Sequence, residues 1–232
     1  MFRKARFFWV YPLVFLLFAT ASISERSLRI GVILALLGEA LRWWADGYVG
    51  HVKVNTTQHW RHDPKIGRLI TAGPYAYVRH PLYFGTLLIG LGFCVAVRNL
   101  PLTLAALALF FFLYHRKAER EEQLILGEWG EAYAAYQRAV PRWWPIHPPY
   151  AERHGRWSWQ GIRASKEWKT LLWVIIALLA VYFREEWSQE HELFSGDGRF
   201  KHVLLAAAAG LLILSDGVLE LIVRRRAASS PP

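Results

Sequence analysis

The sequence predicts an all-α fold, that of a polytopic membrane protein with about six transmembrane helices. Three observations predict it. Apolar residues make up 54% of the 232 positions and the mean hydropathy is +0.16. The apolar runs are too long and too closely spaced for one soluble domain. Lys and Arg gather in alternate loops, while one later loop is acidic, as expected when basic loops stay on the cytoplasmic side. The formal charge of +10 flanks the apolar runs and forms no separate arm or nucleic-acid motif, so it points to topology and contact with a lipid bilayer, with no nucleic acid among the partners.

In chain order, Arg3, Lys4 and Arg6 precede an apolar run from Phe7 to Ala21. It is expected to be retained as a first membrane helix, because a second run follows almost at once; a signal peptide is the alternative. The second helix is expected from Leu28 to Tyr48, with Glu39, Arg42 and Asp46 in its later half. Ionisable groups at such depth face protein or water. Glu39 and Arg42, three apart, are placed to pair. The loop from His51 to Ile70 has a basic excess and is expected on the cytoplasmic side, with Asn55, Gln58 and His59 as solvated residues.

Leu82–Val97 and Leu100–Tyr114 read as two helices joined only by Arg98-Asn99, which forces an antiparallel hairpin. Each is barely long enough to cross ~30 Å of hydrocarbon. Gly85, Gly90 and Gly92 suit close approach of neighbouring helices. The fourth helix is expected to continue past the membrane through His115, Lys117 and Glu119 to Glu121 and Glu122. Adjacent helix positions do not share a face, so one of these two glutamates faces a site and the other pairs with a basic neighbour; the sequence leaves open which.

Glu131–Arg142 reads as an amphipathic helix stopped by Pro141, with Tyr133 and Tyr136 on one side. Trp143-Trp144-Pro145 and the basic, Trp-rich stretch from Ala151 to Lys169 suit a membrane surface. Thr170–Phe183 is a fifth apolar segment, followed by an acidic loop. Lys201–Val223 is the sixth and ends in Arg224-Arg225-Arg226. Both termini are thereby expected in the cytoplasm. Three regions follow: an N-terminal hairpin and loop over 1–67, a core over 68–150, and a basic linker with a C-terminal hairpin over 151–232.

The stretch that carries chemistry runs from Gly73 to Gly85 and places Arg79, His80, Tyr75, Tyr77 and Tyr83 where a polar loop enters an apolar helix. Pro81 suits the first turn of that helix and keeps His80 extended. Arg79 and His80 therefore sit near the helix's positive end, and the hairpin returns Glu121 and Glu122 to the same side. The lone Cys94 lies in an apolar run, which excludes an internal disulfide. His51, His59, His62 and His80 match no zinc spacing, so no metal is expected.

Arg79-His80-Pro81-Leu82-Tyr83-Phe84-Gly85, Glu121-Glu122, Trp129-Gly130, Tyr133 with Tyr136, and Val140-Pro141-Arg142 follow one another in a set order. The ordered set resembles the isoprenylcysteine carboxyl methyltransferase and phospholipid methyltransferase superfamily of integral membrane enzymes. The resemblance covers roughly residues 68 to 145; Trp129 stands where the family often has Phe.

It implies S-adenosylmethionine as cofactor and a membrane lipid or prenylated small molecule as substrate. Carried onto this chain, it implies Arg79 and Glu122 as catalytic, and Gly73, Tyr75, His80, Pro81, Tyr83, Gly85, Glu121, Glu122, Tyr133, Tyr136 and Arg142 as cofactor-binding. These residue types suit such a ligand. His80, the helix start and Arg79 meet an anion, Glu121 or Glu122 meets a cation, and the tyrosines supply apolar faces and hydroxyls. No glycine signature of a dinucleotide-binding fold is present. O-methylation of a carboxylate and N-methylation of a lipid amine both stay open.

A rival is an NADPH-dependent membrane reductase of the sterol-reductase type, which shares an R-H-x-x-Y-x-G pattern. Leu82 stands where that group commonly has Asn, and Thr86 where an acid often follows the glycine. A noncatalytic lipid-binding scaffold would explain the helices but leaves the paired polar clusters without a purpose. The oligomeric state is not legible.

Overall fold

A computed structural model of the chain describes residues 15–17, 19–49, 68–165 and 167–190. Most of the expected first helix, the loop residues Asn55, Gln58 and His59, and the sixth segment Lys201–Val223 lie outside these residues. The described residues are helical, with no strand among them: α1 is Glu25–Val49, α2 Pro81–Val97, α3 Leu100–Ala139, α4 Trp159–Ser165 and α5 Trp168–Glu190, with a 3-10 turn at Gly73–Ala76. Two compact units divide after Trp168. The second contains α5 from Lys169 onward, and α5 continues seven residues beyond the expected end at Phe183.

Ser24 and Ser27 start α1 by reciprocal bonds, the Ser27 N–H donating to Ser24 Oγ at 3.2 Å and the Ser24 N–H to Ser27 Oγ at 3.0 Å. Ser27 Oγ also donates to the Ala96 carbonyl, tying the start of α1 to the end of α2. The two helices then run antiparallel with small residues facing. A Cβ on Gly38 would stand 2.6 Å from the Gly85 carbonyl oxygen, and one on Gly92 would stand 2.5 Å from that of Gly31. Ala35 and Ala96 are wholly buried between them. This close backbone approach explains Gly85 and Gly92. Gly90, for which the same role is expected, has nothing within 4 Å of a Cβ position.

The expected hairpin is present. Arg98 takes the left-handed conformation with φ 58°, and Asn99 caps α3 by accepting the Leu102 N–H at 3.1 Å. From there α3 runs through the charged stretch to Ala139 and breaks at Gly130, whose φ is 49° and ψ −127°. The amphipathic helix expected over Glu131–Arg142 is thus the last part of α3, and it stops at Ala139, where Val140 turns extended ahead of Pro141.

After α3 the chain runs back along the motif loop as an irregular strap. Arg79 N–H donates to the Pro141 carbonyl at 2.9 Å, and Tyr150 N–H to that of Ala76 at 2.9 Å. Thr71 and Ala72 N–H groups share the His154 carbonyl, at 3.0 and 3.2 Å. Tyr133, Tyr136 and Val140 form a buried cluster beside Leu69, Ile125 and Tyr150, so the strap, the loop and α3 close around one core.

Among the described residues no helix is long and apolar enough to cross a membrane. The reasons differ by helix. With 17 residues α2 spans about 25 Å at 1.5 Å per residue, short of ~30 Å of hydrocarbon. The apolar part of α3 ends at Tyr114, before His115, and α1 carries Glu39, Arg42 and Asp46.

Candidate active site

His80 is the residue that caps α2, with Pro81 in its first turn. No side chain caps the helix, and the Tyr83 and Phe84 N–H groups donate to the His80 carbonyl at 3.1 Å. The His80 ring lies parallel to that of Tyr83, with centroids 5.2 Å apart and planes at 2°. Tyr83 in turn donates its hydroxyl to Glu121 Oε2 at 2.5 Å. Lys117, one helical turn before Glu121, holds its ammonium 4.7 Å from the Tyr83 ring centroid and 3.8 Å from Glu121 Oε1.

Glu122 occupies the neighbouring face and is a hub. Its Oε1 accepts from Arg142 Nε at 3.0 Å and contacts His80 Nε2 at 3.0 Å; its Oε2 accepts from Arg142 Nη2 at 2.7 Å and Gln137 Nε2 at 3.2 Å. Arg79 Nη1 lies 3.3 Å from the same Oε2. Burial alone would raise the Glu122 pKa, but hydrogen bonds from His80 and Arg142, with the Arg79 charge beside them, outweigh it and hold the carboxyl at about 2. The same hydrogen bond raises the pKa of Arg142. Burial pushes Tyr133 and Tyr136 well up, so both stay protonated, and Tyr136 donates its hydroxyl to the Tyr75 carbonyl at 2.7 Å.

Beside these groups lies a cavity of about 200 Å³. Tyr75, Arg79, His80, Pro81, Tyr83, Glu121, Tyr133 and Tyr136, all sequence-predicted, line it. Of the two glutamates, then, Glu121 lines the cavity with Lys117 beside it, and Glu122 makes the closer contacts with basic groups, to Arg142, His80 and Arg79. Arg79 is the unusual member. Its side chain is only 10% exposed, yet Nε and Nη1 have no hydrogen-bond partner. The charge is met by Glu122, 3.3 Å from Nη1, while these two donors make no hydrogen bond.

Four predicted residues, Glu122 among them, do not line the cavity. Gly85 faces α1, where a Cβ would stand 2.5 Å from Arg42 Cγ and 2.7 Å from the Gly38 carbonyl oxygen. Gly73, with φ +63°, turns toward the Tyr48 ring and lines a different cavity. Arg142 stands behind Glu122. Both glycines need their smallness for packing, and close approach of protein on their Cβ side leaves no room there for a ligand.

Trp129 of the Trp129-Gly130 motif also lines the cavity, as do Lys117 and Ile125, which the motifs do not single out. Trp143 stands over the pair below it, 6.0 Å from His80 and 6.4 Å from Tyr83 by ring centroids. Lys117 carries a usable signal, since it precedes Glu121 by four in a helix. Gln137 carries none. Among the described residues no group of three or more His, Cys, Asp or Glu side chains could hold a metal ion.

Parts of the chain are similar to known proteins. The cobalt-zinc-cadmium resistance protein CzcN of Cupriavidus metallidurans is 34% identical over 123 residues, 53% of this chain and 51% of that protein. Protein-S-isoprenylcysteine O-methyltransferase of Xenopus laevis is 32% identical over 118 residues, 50% of this chain and 40% of its own. A Delta(14)-sterol reductase of Methylotuvimicrobium alcaliphilum is 32% identical over 81 residues, 34% of this chain and 18% of that enzyme. The chain thus spans about half or less of the length of these relatives. No solved structure matches it. Residues 31–126 match the isoprenylcysteine carboxyl methyltransferase (ICMT) family, and over that stretch the chain carries the resemblance that the ordered motifs around His80 and Glu122 imply.

Proposed function

We propose that the chain transfers a methyl group from S-adenosylmethionine to a lipidic substrate at the cytoplasmic face of a membrane. The observation that carries this reading is the buried Arg79 guanidinium on the wall of the cavity, with the Glu121 carboxylate on the same wall. An amphiphile or cofactor with both an anionic and a cationic group fits such a pair. When bound, S-adenosylmethionine supplies a methyl group on a positively charged sulfur, poised for in-line displacement.

The residues divide the remaining work. His80 and the start of α2 receive the cofactor's carboxylate. Glu121 faces its cationic groups, while Tyr75, Tyr133 and Tyr136 supply apolar walls. Arg79 clamps the substrate's carboxylate or phosphate, a role to which a planar fork of donors is suited. Glu122 acts by holding Arg79 and His80 in place. Positioning and exclusion of water of this kind lower such barriers by roughly 7 to 11 kcal/mol when geometry is ideal. A substrate carboxylate is already ionised at neutral pH, so no general base is needed for O-methylation; an amine must first lose a proton.

The protein is read as multi-pass in the membrane, with both termini cytoplasmic and the helical hairpins as spans. The sterol-reductase relative favours a second reading, an NADPH-dependent reductase. Against it, Thr86, where that group often has an acid, points to α1: it accepts from Arg42 Nη1 at 2.7 Å and donates to the Leu82 carbonyl at 2.9 Å.

Incubation of the purified protein with methyl-labelled S-adenosylmethionine and either a prenylated cysteine or an aminophospholipid tests the proposal. Label in a base-labile methyl ester would establish carboxyl transfer, and label stable to base in the lipid would establish N-methylation. No label in either acceptor, with NADPH-dependent reduction of a sterol, would overturn the methyltransferase reading.

A further inference from the structure

A second cavity, of about 400 Å³, shares no lining residue with the first. It lies among Trp44 and Tyr48 of α1, the Gly73–Tyr77 turn, and the strap residues Arg153 to Trp157. Its floor is fixed. The His154 carbonyl takes the Thr71 and Ala72 N–H groups, the His154 N–H donates to Thr71 Oγ1 at 2.8 Å, and the Ser158 N–H donates to the Gly47 carbonyl at 2.8 Å. Gly155, with φ +120°, turns the strap where a Cβ would stand 3.1 Å from Ile70 Cδ1. The turn Gly73–Ala76 is a wall common to both cavities, Tyr75 contributing to the first and Gly73 and Ala76 to the second.

The lining is basic and aromatic and holds no carboxylate. Arg153 spends its Nε on the Tyr150 carbonyl at 3.2 Å, and neither Arg153 nor Arg156 has an acidic partner among the described residues. Trp44, Tyr77 and Trp157 are large side chains left 43%, 38% and 37% exposed around the rim. The apolar surface continues outward, because Trp159, 63% exposed, packs edge-on against Trp157 at 4.8 Å between centroids. Two guanidinium groups beside a cavity, with no acidic partner among the described residues, suit a phosphate. Exposed indoles at its edge suit the boundary between headgroup and acyl chain.

We propose that this cavity binds the headgroup phosphate of an anionic phospholipid. Arg153 and Arg156 clamp the phosphate, and Trp44, Tyr77, Trp157 and Trp159 lie against the glycerol and the first methylenes. The site is separate from the cleft at His80, and its test needs no methyl transfer.

Native mass spectrometry of the full chain released from detergent, with equimolar phosphatidylglycerol and phosphatidylcholine of identical acyl chains, tests it. Phosphatidylglycerol is expected to be retained about tenfold, or ~1.4 kcal/mol, over phosphatidylcholine, whose choline cation offsets its phosphate charge and is repelled by the two arginines. R153Q/R156Q should lose the preference, and each single substitution, usable if the double variant folds poorly, should reduce it. R163Q, on the exposed face of α4, should keep it. Equal retention of the two lipids, or a preference that survives R153Q/R156Q, would overturn the site. Calorimetry with glycerol 1-phosphate separates the sources: weak binding supports the lipid, and binding as tight as that of phosphatidylglycerol would overturn it in favour of a soluble phosphate ester.

Discussion

Glu122 and Arg142 meet in a two-point contact, Nε to Oε1 at 3.0 Å and Nη2 to Oε2 at 2.7 Å, with Glu122 only 4% and Arg142 21% exposed. The contact joins the middle of α3 to the Val140-Pro141-Arg142 turn that ends it. Because His80 Nε2 lies against the same carboxylate, the motif loop is locked in as well. A residue expected to touch ligand is thus first of all the joint between three segments.

Glu122→Ala should therefore cost stability as well as function. Breaking a buried pair by removing one partner leaves Arg142 and Arg79 without their counter-charge, a loss of about 3–5 kcal/mol. Glu121→Gln, at the cavity wall, should weaken ligand binding with little change in melting temperature. Thermal unfolding of both variants in detergent checks this, and equal melting temperatures would refute the hub.

Acid should loosen the same joint. The folded Glu122 pKa, about 2, lies below its ordinary value of 4.5, so its contribution is fully present above pH 4.5 and is lost as pH falls through 2. The shift corresponds to roughly 3 kcal/mol. Parent protein should lose stability steeply between those two values, and Glu122→Gln should show a flatter profile there; parallel profiles would contradict the assignment.

Arg79→Lys should lower turnover more than stability. Lysine keeps the charge but not the fork of donors, and losing one charge-assisted hydrogen bond of about 1.5–3 kcal/mol lowers kcat/KM roughly 10- to 100-fold. Kinetics beside a melting curve measure both effects. Unchanged turnover would rule out a bidentate clamp.

Gly85→Ala should act through packing. The added methyl would meet Arg42 Cγ at 2.5 Å and the Gly38 carbonyl oxygen at 2.7 Å, so α1 and α2 must part, at a cost of about 1–3 kcal/mol. The melting temperature should drop even with ligand absent. A variant as stable as the parent but unable to bind ligand would return Gly85 to the cofactor site.

The site's outline is legible in the sequence because its parts are local and periodic. The two-residue link Arg98-Asn99 forces the return of α3, and helical spacing from Lys117 to Tyr136 places the charged and aromatic groups along one stretch. Gly85 carries two expectations, helix packing and cofactor binding; the packing is found against Gly38 and Arg42, which lie far upstream, and no pattern in the sequence tells which partner the glycine faces. The choice between Glu121 and Glu122 needs the helix's rotation, which adjacent positions do not disclose. Nor does a glycine in a helical pattern, such as Gly130, announce that its φ turns positive and bends the chain there.

The central claim is tested most directly by calorimetry of the detergent-purified protein with S-adenosylmethionine, S-adenosylhomocysteine and NADPH. The account predicts binding of the two sulfur compounds, lost in Arg79→Ala and His80→Ala, and none of NADPH. Binding of NADPH alone would contradict it and place the chain with the reductases.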